Sequence, residues 1–286
     1  MNIGIIGNGF VGSSVAFGFS PSTGCNAEIM IYDKDKSKSL NSLSDVVNES
    51  DFIFVSVPTP SNRDGSINTD IVEDAFDEMN QHNYRRDNVF LLRSTVTPGT
   101  TRKIQNNCRK LNIVFNPEYL TERSAKFDFI NQARFVIGGE ERYTDKVEEL
   151  FKWRFGESTP VIKTNYETAE MVKYMTNTFL ATKVSFANEI KMICDKMNID
   201  YDKVVEYSIY DQRLGKSHWA VPGPDGHYGF GGSCFPKDLN ALIMVAESMD
   251  LEVETLRGAW QTNLEVRPEC DWEELKGRAV VGDSNG

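Results

Sequence analysis

The sequence predicts an α/β protein: a doubly wound parallel sheet, then a long helix, then a small all-helical domain. Three observations predict it. A short apolar run at 3–6 meets a glycine-rich turn at 7–12. Short apolar runs then alternate with helical stretches to about residue 165, the rhythm of βαβ units. From residue 167 the apolar spacing changes to steps of three and four, and the elements after it read as helices.

The strand-like runs are 3–6, 28–32, 51–57, 88–94, 112–115, 134–138 and 160–163. Helical stretches at 13–19, 69–82, 100–108 and 144–155 lie between them and predict a sheet covered on both faces. The turn Gly7-Asn8-Gly9-Phe10-Val11-Gly12 is GxGxxG in its required setting, after a strand and before a helix. The second strand ends at Asp33, about 20 residues after the last glycine, where a Rossmann-like dinucleotide fold holds its ribose-binding carboxylate. Asp33 would accept from ribose hydroxyls and repel a 2′-phosphate, so NAD is favoured over NADP. Lys34, Lys36 and Lys38 either meet a phosphate or stand in a solvated turn.

Ligands of such sheets bind at the carboxyl ends of the strands. Three polar clusters fall there: VPTP at 57–60, STVTPG at 94–99 and NPEYLTE at 116–122. Singly, each also reads as a turn or a helix cap.

Residues 167–197 carry the longest helical pattern, with Met171, Met175, Phe179, Ile190, Ile193 and Met197 along one side beside Thr182 and Phe186. That stripe reads as a core or a dimer element. Lys173 and Asn177, four apart on the opposite face, taken alone read as solvated. Helices at 201–210, 238–247 and 251–266 follow, the first two joined by a long loop that carries Arg213 and a stretch from Gly229 to Asp238, GFGGSCFPKD. Cys234 there follows a glycine cluster and opens a helix whose first turn holds Pro236, with Lys237 three residues on. Backbone N–H groups, the helix dipole and Lys237 would all favour a thiolate, which is a nucleophile's environment. The alternative is a glycine-rich turn holding a small buried cysteine.

Composition narrows the function. A chain of 286 residues with 40% hydrophobic and 26% charged residues buries a sizeable core. A formal net charge of -11, without a visible basic patch, argues against nucleic-acid and anionic-membrane partners. No apolar stretch approaches the ~20 residues that span a bilayer, and the amino terminus lacks a leader's basic region. Cys25, Cys108, Cys194, Cys234 and Cys270 are widely spaced without a CxxC pair, suggesting neither a disulfide framework nor a zinc site; a reducing, cytoplasmic setting fits. His82, His218 and His227 are too scattered for a metal site or a Ser-His-Asp triad, so no metal is expected.

Taken together, GNGFVG at Gly7, VPTP at Val57, RSTVTPGT at Arg93, NPEYLTER at Asn116, EMVKYMTNTF at Glu170, DQRLG at Asp211 and GFGGSCFPKD at Gly229 resemble the nucleotide-sugar 6-dehydrogenase family over residues 1 to about 265. The resemblance implies that a primary alcohol on a nucleotide sugar is oxidised twice, to aldehyde and then acid, with NAD consumed at each oxidation and a covalent thiol adduct in the second. It implies Cys234 as nucleophile, Lys173 and Asn177 as oxyanion stabilisers, Asp238 for protons and the hydrolytic water, and Thr95 and Glu118 as the rest of the acid–base set. Gly7, Gly9, Phe10, Val11, Gly12, Asp33, Lys38, Thr59, Thr95, Glu122 and Lys237 would contact NAD. Glu118, Tyr119, Leu120, Lys173, Asn177, Tyr228, Phe230 and Gly231 would line the sugar-nucleotide site, with Arg213 there reaching across a homodimer. UDP-glucose is the expected substrate; GDP-mannose, a UDP-N-acetylhexosamine, a single-step hydroxyacid and a weakly catalytic binding module are the alternatives.

The expected organisation is an NAD-binding domain at 1–164, a central dimerisation helix at 165–198, a helical substrate domain at 199–267 and a polar tail at 268–286 with Trp272 as its anchor. Two departures from the family follow. The segment between Asp33 and Asp51 is short, which predicts a trimmed edge strand and loop. Family members also continue into a second Rossmann-like domain, so the chain is a short form or a fragment, and part of the nucleotide grip is expected to be missing, raising KM.

Overall fold

The computed structural model describes residues 1–282, so residues 283–286 of the expected tail lie outside the described ones. The chain forms two compact units, one of Met1–Thr59 and Thr69–Lys173, the other of Pro60–Asn68 and Tyr174 onward.

The first unit is built on seven strands, β1 (Asn2–Ile6), β2 (Glu28–Tyr32), β3 (Phe52–Val55), β4 (Val89–Leu92), β5 (Ile113–Phe115), β6 (Phe135–Gly139) and β7 (Val161–Thr164). Their order across the sheet is β2-β1-β3-β4-β5-β6-β7. The connecting helices are α1 (Phe10–Gly18), α2 (Leu43–Glu49), α3 (Asp70–His82), α4 (Thr100–Asn107), α5 (Ala125–Ile130) and α6 (Glu141–Phe155). The central strands FIFV and VFLL are buried throughout, because both faces of the sheet are covered and neither needs polar side chains. Alternation along each strand divides the core in two. Ile53 and Val55 join a layer with Val46, Phe76 and Ile104, from α2, α3 and α4. Phe52 and Phe54 join the other with Val15, Phe129 and Phe151, from α1, α5 and α6. In that second layer Phe135 stacks on Phe151 with ring centroids 4.0 Å apart.

Two features differ from a uniformly parallel sheet of the expected strands. β6 runs antiparallel to β5, pairing Val114 with Gly139 and Phe115 with Gly138. The six-residue α5 packs under α1, where a Cβ on Gly18 would lie 2.3 Å from the Phe129 ring, and does not carry the chain back across the sheet. The other difference is an unexpected helix: the short segment after β2 forms α2, capped by the Ser42 side chain accepting from Asp45 N, and leaves β2 as the edge strand.

The boundary between the units falls within α7 (Tyr166–Met197), a helix of 32 residues and about 48 Å. The second unit adds α8 (Tyr201–Ser208), α9 (Phe235–Glu247) and α10 (Glu254–Val266). Its core gathers Ala181, Phe230, Leu239, Ile243 and Ala259. The exposure of α7 removes one of the two readings of its apolar stripe and reverses that of its polar pair. Met171, Met175, Phe179, Phe186, Ile193 and Met197 are 42 to 69% exposed, so the apolar stripe is not core in this chain. Lys173 and Asn177 are instead buried. The tail is held by more than Trp272, which is buried with its ring centroid 5.3 Å from that of Trp260. Ser61 N donates to Ala279 O and Val281 N to Ser61 O, each at 2.9 Å, so the tail pairs with segment Pro60–Asn68.

Candidate active site

In the first unit β1 lies between β2 and β3, and the chain reverses direction across the sheet at that point. The crevice at the carboxyl end of β1 is the place such a sheet offers a ligand. Gly7 has φ +86°, and a Cβ there would meet Ser56 O at 2.3 Å. Gly12 packs on the turn itself, where a Cβ would stand 2.0 Å from Gly7 O. Gly9 has open space where a side chain would be, and α1 starts after it without a side-chain cap. The unused N–H groups of a helix start, together with that opening, suit a diphosphate. Asp33 at the end of β2 accepts from Asn8 N at 2.6 Å and Asp35 N at 2.8 Å, which aims its carboxylate while leaving lone pairs for ribose hydroxyls. Beyond it lies a cleft of about 460 Å³ lined by Tyr32, Lys34, Lys36, Asn41 and Ser42. Lys38 stands half-exposed, 3.5 Å from Asp35. These residues fit a dinucleotide. Gly12→Ala should therefore displace the turn, at about 1–3 kcal/mol of stability, and weaken NAD binding about 100-fold in a calorimetric titration; wild-type affinity in that variant would refute the fit.

The neighbouring strand ends bring further residues to the same edge. After β3 comes buried Thr59, and after β4 come Ser94, bonded to Val57 N and O, and buried Thr95. After β5, Glu118 is buried and its Oε2 accepts from Leu120 N at 2.7 Å. Lys173 of α7 donates to Glu118 O at 2.6 Å and to Glu118 Oε1 at 3.0 Å, with the Tyr119 ring 5.2 Å away. A charged pair this deep is a site in which an ammonium is fixed and dry. Glu122 sits on an exposed 3-10 turn, Glu122–Ser124.

Two supporting residues, Arg93 and Glu170, open stretches already noted in the sequence, but spacing gave neither of them a role. Arg93 is fully buried between the rings of Phe54 and Phe129 and donates to Asn116 Oδ1 at 2.5 Å, bracing the turn that leads to Glu118. Burial drives its guanidinium down to about 10, against the pull of the Glu118 charge. Glu170 caps α4, accepting from Gly99 N at 2.6 Å and from Thr101 N and Oγ1 at 2.8 and 2.6 Å. Burial raises its carboxyl pKa against those three bonds.

In the second unit Cys234 is the N-cap of α9, partly exposed and outside any disulfide, with Ser233 Oγ 3.8 Å from its sulfur. One turn on, Asp238 is 1% exposed and held from two sides: Lys237 Nζ donates to Oδ1 and Asn177 Nδ2 to Oδ2, both at 2.6 Å. The chain thus gathers a thiol, a carboxylate, an ammonium and an amide at the head of one helix. Of the loop residues, Phe230 is buried and Tyr228 is 42% exposed. Arg213 is held outside this cluster: its side chain is 88% exposed and forks onto Asp211. Among the described residues no three His, Cys, Asp or Glu gather to hold a metal, and no helix is long and apolar enough to cross a membrane.

A switch-point crevice, an open glycine turn and an aimed Asp33 define the first unit as a dinucleotide-binding domain of the kind dehydrogenases use. Comparison with known proteins gives the family. Residues 38–154 match the NAD binding domain, and residues 167–265 the central domain, of the UDP-glucose/GDP-mannose dehydrogenase family. The chain belongs to that family, and its cofactor is NAD. It is 37% identical to UDP-glucose 6-dehydrogenase YwqF of Bacillus subtilis over 75% of this chain and 49% of that protein. It is 32% identical to UDP-glucose 6-dehydrogenase AglM of Haloferax volcanii over 92% of this chain and 69% of that protein. The solved structure of a UDP-glucose dehydrogenase from Pyrobaculum islandicum superposes with a TM-score of 0.80 at 28% identity, covering 96% of this chain and 70% of that one. The chain spans about half the length of the first of these relatives.

Proposed function

We propose that the chain acts as an NAD-dependent nucleotide-sugar 6-dehydrogenase that converts UDP-glucose to UDP-glucuronate. The observation that carries this reading is the thiol at the head of α9, one turn before a buried carboxylate fixed by Lys237 and Asn177. A single-step alcohol dehydrogenase has no use for that thiol. Oxidation of an aldehyde to an acid does. The choice of UDP-glucose rests on the relatives named for it.

NAD, when bound, supplies the hydride acceptor for both oxidations. In this reading residues 1–164 bind it, through Gly7, Gly9, Phe10, Val11, Gly12, Asp33, Lys38, Thr59, Thr95 and Glu122, and Lys237 at the head of α9 adds a further contact. Residues 199–267 carry the sugar loop, with Arg213, Tyr228, Phe230 and Gly231. Lys173, fixed by Glu118, and Asn177 stabilise negative charge developing on the sugar's C6 oxygen. Thr95 and Glu118 take part in moving the hydroxyl proton. The Cys234 thiolate then adds to the aldehyde carbon, forming a C–S bond, and its oxidised adduct is a thioester. Water attacks that carbonyl, Asp238 takes the water's proton, and the C–S bond breaks to return the thiol and release the acid. A thiol used this way needs a reducing compartment, so we place the protein in the cytoplasm. The test is the yield of NADH per UDP-glucuronate when UDP-glucose and NAD⁺ are supplied. Roughly two NADH per acid support the double oxidation; NADH without acid would overturn it. Bound UDP-glucose with no NADH would instead leave a binding module without turnover.

The exposed apolar side of α7 supports a homodimer in which a second copy of the helix covers it. Phe179 and Met175, 65% and 69% exposed, lie at its middle. Phe179→Glu should convert a dimer at micromolar concentration to a monomer in sedimentation, because a charge desolvated on an apolar face is costly. A wild-type chain that already sediments as a monomer would sink the dimer.

A further inference from the structure

We infer that Arg267 and Asn263, at the end of α10, are positioning residues for the glycine-rich loop that delivers Cys234, and that the tail after α10 supplies half of the clamp. This rests on the function proposed above for that loop.

The loop from Asp225 to Gly231 contains no regular element, carries Tyr228, Phe230 and Gly231, and ends three residues before Cys234. Such a segment has low intrinsic stability unless side chains from elsewhere take its backbone groups. Asn263 does so as a strand partner would, with Oδ1 accepting from Phe230 N at 2.7 Å and Nδ2 donating to Phe230 O at 3.0 Å. Asn188 Oδ1 accepts from Gly229 N at 3.2 Å. Both asparagines are buried.

Arg267 completes the hold. Its side chain is 3% exposed and its charge is met on two sides. Nη1 donates to Asp225 Oδ2 at 2.9 Å and to Tyr228 O at 3.4 Å, both in the loop. Nε and Nη2 fork onto Asp271 at 2.7 and 2.8 Å, on the tail. The guanidinium also forms the floor under Gly231, where a Cβ would meet it at 2.4 Å. Gly229, with φ +66°, is closed off in the same way by Asn263 Oδ1, also at 2.4 Å. Glu269 of the tail adds a contact of 3.1 Å to His227 of the loop. Arg267 therefore sets the height and the position of the loop, and Asp271 fixes Arg267. Lysine cannot replace it, since a point charge lacks the fork that spans Asp225 and Asp271.

The test follows amide exchange by mass spectrometry in the full chain for wild type, Arg267→Gln, Arg267→Lys and Asp271→Asn, together with alkylation of Cys234 by iodoacetamide with and without UDP-glucose. Exchange over 225–234 should rise about tenfold in Arg267→Gln and about threefold in Asp271→Asn, with first-unit peptides unchanged. Protection of Cys234 by UDP-glucose should weaken in the same order, with Arg267→Lys rescuing neither readout fully. Exchange within twofold of wild type in Asp271→Asn and Arg267→Gln overturns the clamp, and faster exchange with undiminished protection overturns its role in positioning. Should Arg267→Gln fail to fold, Asp271→Asn decides, because its side chain is 40% exposed and leaves the core intact. Exchange needs no ligand, so a wild-type chain that UDP-glucose does not protect counts against the proposed substrate while the clamp is still read.

Discussion

Cys234→Ser should abolish formation of the acid, lowering its rate by about 10³-fold or more, the scale on which loss of a covalent nucleophile is felt. The exchange replaces one atom at a partly exposed N-cap position, so folding should be unaffected. A serine is also an acceptable N-cap, which removes a structural explanation for any loss. What changes is the nucleophile: a hydroxyl without an adjacent base is a poor one at neutral pH. Nucleotide-sugar binding should stay within a few-fold of wild type. A variant forming acid at more than a tenth of the wild-type rate would remove the thiol from the mechanism, and with it the argument for a double oxidation.

Lys173→Met carries the second large effect, for two reasons that act together. Loss of the ammonium removes the charge proposed to stabilise the C6 oxyanion, and removal of one such donor costs about 10²–10³ in kcat. It also leaves Glu118 buried without its cation. The side chains of this pair are only 3% and 8% exposed, and breaking a buried pair costs about 3–5 kcal/mol. A second variant isolates the stability effect, although it also removes the Glu118 carboxylate placed in the proton transfer. Lys173→Met with Glu118→Gln should recover most of the thermal stability, since no unpaired charge remains, while kcat stays low. Recovery of both would show the lysine to be structural, and a single variant with near-normal kcat would refute its proposed role.

How much of this was legible in the sequence depends on how far apart the partners lie. The glycine turn, Asp33 and the strands leading to them follow from spacings of a few residues, and the fold places them as those spacings predict. The stretch around Cys234 was legible for the same reason: glycines, Pro236 and Lys237 announce a helix start. Arg267 and Asn263 left no signal, because the loop groups they hold lie 33 to 42 residues away and an arginine or an asparagine at a helix end is ordinary by itself. Glu170 is a longer case, capping a helix start 71 residues distant.

The long helix shows the limit most plainly. Its apolar period was read correctly as a face, yet period says nothing about what covers that face. Packing buried Lys173 and Asn177 against Glu118 and Asp238, and it left Met175 and Phe179 exposed. The direction of β6 was likewise open, since a strand of the same alternation pairs either way and the path of α5 decides. The sequence by itself determined the class of fold, the dinucleotide turn and the place of Cys234 at a helix start, because each is encoded in local spacing. Tertiary structure alone decided which polar groups are dry and paired, because burial belongs to contacts between segments that no local pattern records.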